Sequence, residues 1–150
     1  MRKLIAVVAF ALLVPALSSA EDRATTKDAE RMVHKAVEFL KKEGKEKAFQ
    51  AVSDPKGPFT YRDIYVFILD TNGIMRAHGS KKELIGKSML ENKDAKGRYF
   101  TREQLEIAKT KGSGWNEYLY DNPATGKVET KVAYVELVDD LVVGCGAFKP

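Results

Sequence analysis

A lysine in the apolar C-terminal half of the sequence could bind a small anion. Lys131 is followed by Ala133 and Val135 in a segment of β-strand character. A compact ammonium suits a small anion, and a carboxylate buried away from water needs a cation or several hydrogen-bond donors. In the alternative arrangement Lys131 is exposed and pairs across the sheet with a residue such as Glu117. The first arrangement predicts a binding site, and the second predicts only a charged surface.

Three tyrosines could complete such a site, because each has a hydroxyl on a rigid apolar ring. Tyr118 and Tyr120 are two residues apart, so a strand places both on one face. Trp115 falls on the opposite face unless Gly114 or a bulge shifts the register, and it stays among the candidates on that condition. Tyr65 is the third tyrosine. Ordinary core packing is the alternative role for each of them.

His78 and Arg76 are the remaining candidates for ligand binding. His78 could donate to a carboxylate or titrate near neutral pH, although a structural role is equally open. Arg76 lies two residues earlier, so a regular strand would bring a second cation to the same face.

No pattern in the sequence indicates catalysis, a metal or a cofactor. The chain has two histidines, too few for a His-rich metal site. Neither paired carboxylates nor a nucleophile with its base can be recognised, since Ser113 and Cys145 lack the flanking residues of known nucleophile motifs. We therefore expect a binding protein with no catalytic residues, no metal and no cofactor.

Length and composition indicate one globular domain behind an export signal. The chain has 150 residues, 44% of them hydrophobic and 31% charged. Its net charge of +4 falls to +2 without Arg2 and Lys3 of the export signal, and neither this even balance nor the scattered lysines favour nucleic-acid binding. Residues 1–20 have the layout of a secretory signal peptide: a basic start, an apolar run at 4–17 and small residues before Glu21. That run is too short for a typical membrane span of about 20 residues. We expect residues 21–150 to form the domain, periplasmic or secreted and without a membrane span once the signal is cleaved, with an uncleaved anchor as the alternative.

The order of apolar patterns predicts an α+β fold. A helix runs from Thr25 or Thr26 to about Ser53 with a break at Gly44, and a second helix has Thr101 as its N-cap. Both faces of the segment 128–137 are largely apolar, so both should be covered. The other predicted segments are strands at 64–69 and 74–78 joined through Asn72-Gly73, a loop at 79–97, the second helix at 99–111, and strands at 115–120, 128–137 and 141–148.

Short segments distributed along the chain resemble a single Cache domain of the second type, a PAS-like extracytoplasmic sensor module. Each segment is weakly specific, but their order and spacing together are more so, and the similarity covers essentially all of 21–150. The matching segments are DIYVFILD at 63–70, MRAH at 75–78, LIGK at 84–87, DAKG at 94–97, GSGW at 112–115, YLYDNP at 118–123, KVAYV at 131–135 and VGCGAF at 143–148.

This resemblance implies a PAS-like antiparallel sheet of five to six strands with a long N-terminal helix and a helical insertion. It also implies a pocket between sheet and insertion for a short organic acid such as acetate, pyruvate or a relative. Such modules usually sense for a chemoreceptor or a histidine kinase in the membrane, whereas this sequence carries no recognisable signalling region, and Phe148 stands where the family often has Tyr. The alternative function is that of an exported enzyme or a structural partner-binding protein. Dimerisation through the long helix stays open.

Overall fold

The structure, a computed structural model, describes residues 22–150. The predicted signal peptide at 1–20 lies outside these residues. Within 22–150, no helix is both long enough and apolar enough to span a bilayer.

Two helices begin the described chain. Helix α1 spans Thr26–Glu43 and starts with a capping box, in which the Thr25 hydroxyl accepts from the Asp28 backbone N–H and the Asp28 carboxylate accepts from the Thr25 N–H. Gly44, with φ of 87°, ends α1 and separates it from α2 at Lys45–Val52. The predicted break at Gly44 is confirmed. The buried stripe of α1 consists of Ala29, Val33, Ala36, Val37 and Leu40.

The sheet has six strands, all in antiparallel pairs. The order is β1-β2-β6-β5-β4, and β3 also pairs with β2. The α+β prediction is confirmed, with the two-residue β1 as the strand that periodicity did not detect. The strands are β1 Thr60–Tyr61, β2 Ile64–Asp70, β3 Met75–His78, β4 Ser113–Asn122, β5 Lys127–Val138 and β6 Leu141–Phe148.

The sheet has a different cover on each face, and strand alternation divides its side chains between them. Val66 and Ile68 of β2 point to α1 and α2, in the larger apolar core. Phe67 and Leu69 point to the other face, where helix α3 at Phe100–Lys111 packs together with the segment 79–99. The candidate site lies on this second face.

Two local predictions are wrong. Thr101 does not cap α3, because Tyr99 occupies the N-cap position and Thr101 is buried in the first turn. The prediction that both faces of the segment 128–137 are covered is also wrong. On the face of β5 that carries Tyr134 and Val138, α1 packs over only the later half of the strand. Val128, at the opposite end of β5, is 58% exposed.

Candidate ligand-binding site

A small cavity lies between the sheet and α3, and we call it the inner cavity. Its volume is about 30 Å³, room for about two water molecules at ~10–15 Å³ each. No Asp or Glu of residues 22–150 lines it. Its walls are Tyr65, Phe67, Leu69, Met75, His78, Met89, Asn92, Phe100, Thr101, Gln104, Tyr118, Tyr120 and Lys131.

Lys131 brings a positive charge into this cavity. The side chain is 1% exposed, and its Nζ donates to the Tyr65 hydroxyl at 3.1 Å. The same nitrogen lies 4.2 Å from the ring centre of Tyr65, 5.0 Å from that of Tyr120, 5.2 Å from that of Phe148 and 6.0 Å from that of Phe67. The electron-rich faces of these rings attract a cation. Lys131 is therefore held in an aromatic enclosure, with N–H groups left over for an anion.

The exposed alternative for Lys131 is wrong. Glu117, its proposed surface partner, instead forms an ion pair with Lys149 at 2.7 Å. Within the described part of the chain, no carboxylate lies within ion-pair distance of the Lys131 ammonium. A buried ammonium without a counter-ion is costly, and a bound anion would offset that cost.

Strand β6 leaves room for the lysine stem at Gly146. Position 146 is paired with Ala133 on β5, two residues from Lys131. A Cβ at Gly146 would lie 2.6 Å from Cε and 2.9 Å from Cγ of Lys131, too close for either carbon. The absence of a side chain at Gly146 therefore leaves the space that the Lys131 side chain occupies.

His78 provides a neutral hydrogen-bond donor. Its Nδ1 accepts from the backbone N–H groups of Ser80 at 3.1 Å and Lys81 at 2.8 Å, which places the proton on Nε2. Burial, together with the nearby charges of Lys131 and Lys81, lowers the pKa of His78 to about 3. The imidazole therefore stays neutral at physiological pH, with Nε2–H available to a ligand.

Tyr118 and Tyr120 reach the cavity together, as their spacing predicts. Tyr118 is opposite Lys131 in the β4–β5 pairing and stacks on Phe100 with ring centres 4.4 Å apart. Burial raises the pKa of Tyr118 to about 12 and also raises the pKa values of Tyr65 and Tyr120. All three phenols keep their protons at physiological pH and can donate hydrogen bonds.

Arg76 is outside the cavity, because β3 is not the regular strand that would place Arg76 and His78 on one face. The β2–β3 pairing has a bulge between Ile68 and Leu69, so Arg76 is the extra residue of β3. Its exposed side chain lies 3.7 Å from Asp70 and over the ring of Phe49 on the α2 side. The bulge reverses the side-chain alternation between Arg76 and His78, so only His78 faces the cavity.

Trp115 is also outside the cavity. No bulge interrupts β4 between Trp115 and Tyr118, so the two side chains stay on opposite faces. Trp115 is 40% exposed and packs against Tyr134 on the α1 side, with ring centres 5.1 Å apart. Its inclusion as a ligand-binding candidate is not supported by this geometry.

The walls that sequence reasoning missed come mainly from α3 and the segment before it. Phe100 and Gln104 are one helical turn apart and face the sheet together. The Gln104 side-chain amide donates to the Asn116 Oδ1 at 3.2 Å. The four-residue spacing of Phe100 and Gln104 could have indicated that both lie on the helix face that packs against the sheet. Met89 lies in an irregular segment, where sequence spacing does not indicate which side chains share a face.

The described residues contain no group of three or more His, Cys, Asp or Glu side chains arranged to hold a metal. The walls of the inner cavity combine one cation with neutral polar side chains and apolar side chains. Such a set can bind and orient a small anion.

Comparison with known proteins identifies the family. The model for the family described as single Cache domain 2 matches residues 22–149. The chain belongs to this family. Its Cache domain has the PAS-like α+β fold, and members of the family are extracytoplasmic ligand-binding sensor modules of receptors.

Three solved structures share the fold of this Cache domain. A methyl-accepting chemotaxis protein from Vibrio parahaemolyticus is similar with a TM-score of 0.71 and 22% identity, over 81% of this chain and 86% of that one. A Cache chemosensory domain described for carboxylic acid recognition has a TM-score of 0.71 and 20% identity, over 83% and 93% of the two chains. The periplasmic sensor domain of a chemotaxis protein has a TM-score of 0.67 and 21% identity, over 87% and 94%.

Proposed function

We propose that this Cache domain binds a short-chain organic acid, such as acetate or pyruvate, in the inner cavity. The observation that carries the proposal is the buried Lys131 ammonium, which faces the cavity without a carboxylate partner among residues 22–150. An acid carboxylate placed there accepts from Lys131 and offsets the cost of burying both charges.

The other groups of the cavity favour a carboxylate over a neutral ligand. Tyr65, Tyr118, Tyr120 and His78 remain neutral donors at physiological pH, so they add hydrogen bonds without adding charge. The small volume of about 30 Å³ favours acids of two or three carbons, for which side chains of the wall need to move least.

The similar chemosensory domain described for carboxylic acid recognition supports this ligand class. The family also supports a location in the periplasm and a membrane-bound chemoreceptor or histidine kinase as the partner that receives the signal. In this proposal the domain detects the acid, and the chemistry of the response belongs to the partner.

A thermal-shift series with acetate, propionate, pyruvate and succinate tests the proposal. Binding to the folded state alone stabilises it by about 2.7 kcal/mol at a concentration of 100 Kd, so at least one of these acids should raise the melting temperature. Lys131→Met should abolish that shift. It should also make the acid-free protein more stable by about 1–3 kcal/mol, because it replaces a buried charge that is only partly compensated with an apolar side chain of similar volume.

The matched control is Lys149→Met, which removes the same charge from an exposed side chain. It should keep the shift. A protein that no acid of the series stabilises, or a Lys131→Met protein that still responds to the acid, contradicts the proposed function.

A further inference from the structure

A second, larger hollow lies against the inner cavity, and we call it the outer hollow. Its volume is about 420 Å³, and it is open to solvent. It shares Asn92, Phe100 and Tyr120 with the inner cavity, so these side chains form the partition between the two. The charged side chains among its other walls are Lys81, Glu91, Lys93, Asp94 and Asp121.

Two ammonium groups lie near the ring of Tyr120 in this partition. Lys131 Nζ lies 5.0 Å from its centre on the inner side. Lys81 Nζ lies 4.9 Å from the same centre and lines the outer hollow. The two nitrogens can be no further apart than the sum of these two distances, so an acid held by Lys81 lies close to Lys131.

Lys81 already holds a carboxylate at this position. Its Nζ donates to Oδ2 of Asp121 at 3.2 Å, and the Asp121 side chain is 64% exposed. An exposed ion pair is weak, about 0–1 kcal/mol, so its carboxylate can be exchanged at little cost. The bound Asp121 shows the geometry that an acid would adopt on Lys81.

The other acidic groups of the outer hollow are engaged elsewhere. Glu91 pairs with Arg102. Asp94 accepts from the backbone N–H groups of Lys96, Arg98 and Leu119. Asp121 is therefore the acidic wall residue that competes directly with an incoming acid for Lys81.

We propose that the outer hollow is a second, transient binding site for the same carboxylate, in which Lys81 exchanges Asp121 for the acid before the acid passes Tyr120. This inference rests on the proposed function. It adds an entry route for the acid and makes the association rate depend on Lys81. Lys81 also donates its backbone N–H to His78, so the residue that receives the acid helps to hold a donor of the inner cavity.

Exchange kinetics of carbon-13 acetate, measured by NMR with the full chain, test the proposal. Lys81→Ala removes the outer cation but keeps the backbone N–H on His78, and it should lower the association rate about threefold or more at low salt. Asp121→Asn frees Lys81 and should raise the association rate by a similar factor. Both differences should shrink at high salt, because ions screen exposed charges.

Lys82→Ala is the matched control, since it removes the same charge from the neighbouring exposed residue that does not line the hollow. Association rates of Lys81→Ala and Asp121→Asn equal to that of Lys82→Ala, in proteins that still bind acetate, would overturn the outer site and leave the proposed function intact. If acetate does not bind, the same rates are measured with carbon-13 propionate, pyruvate or succinate. Absence of binding of all four acids by the unsubstituted protein would contradict the proposed function itself, and the outer site with it.

Discussion

Moving a lysine ammonium from water into an apolar interior costs several kcal/mol unless neighbouring groups compensate it. At Lys131 the compensation comes from the Tyr65 hydroxyl and from four aromatic rings around Nζ. A ring face stabilises a nearby cation by ~0.5–2 kcal/mol, which offsets only part of the cost. Stability and ligand binding are therefore linked at Lys131, because a bound anion would offset the part of the burial cost that the rings leave uncompensated.

His78 makes a separate contribution that depends on pH. Its pKa is about 3 in the folded protein and close to 6.5 in the unfolded chain, so between these values only the unfolded state binds the proton. Stability should therefore fall as the pH drops below about 6.5, by about 1.4 kcal/mol per unit. His78→Gln, which keeps an acceptor and a donor, should remove this slope in urea unfolding between about pH 6 and about pH 4.5.

His34→Gln is the control for this measurement, because the same change is made at a half-exposed histidine on α1. The slope assigned to His78 should persist in this variant, because His78 itself is retained. An unchanged slope in His78→Gln would show that His78 is protonated in the folded state, and the neutral donor assigned to the cavity would be wrong.

At the scale of an element, the start of α1 offers a test of local sequence chemistry. Thr25 and Thr26 are both plausible caps by residue type, but the reciprocal bonds with Asp28 assign the role to Thr25. Thr25→Ala should lower the free energy of unfolding by about 1 kcal/mol, the usual cost of losing an N-cap. Thr26→Ala should change it by less than about 0.5 kcal/mol. Chemical denaturation of both variants measures these changes. Equal losses of unfolding free energy in the two variants would contradict the capping box.

The same distinction explains which elements were predictable from the sequence. Helix α1 was predicted because its apolar residues recur on one face. Strands β2 and β6 were predicted because each is a continuous apolar run, and both runs are buried on both faces of the sheet. The alternation of side chains along a strand was enough to place Tyr118 and Tyr120 on one face. It failed at Arg76, because a bulge depends on how two strands pair and leaves no mark in one of them.

The cavity walls show where prediction from sequence ends. Lys131 and three tyrosines carry chemistry that makes them visible in the sequence. Met89 and Phe100 are ordinary apolar residues, and their place in the wall depends on how α3 and the segment 79–99 pack on the sheet. That packing is a tertiary outcome, so local propensity could not fix it.

At the scale of the whole molecule, Cys145 can report how the protein opens. It is fully buried on β6, a strand that pairs with β2 on one side and β5 on the other. Burial raises the pKa of its thiol to about 12, so the reactive thiolate is scarce in the folded state. The Cys145 side chain points into the core beneath α1 and α2, so its exposure requires α1 to detach from the sheet or the central strands to separate.

The thiol reagent DTNB should therefore label the native protein only through global unfolding. We expect labelling at mildly alkaline pH to be slow in buffer and to accelerate with urea with the same denaturant dependence as the unfolding equilibrium, because both expose the same surface. Labelling within seconds in denaturant is the control for thiol reactivity. Fast labelling without denaturant, or a labelling rate that does not depend on urea, would mean that α1 detaches locally from the sheet. The two layers would then be independent units, contrary to a single cooperative domain built around β2 and β6.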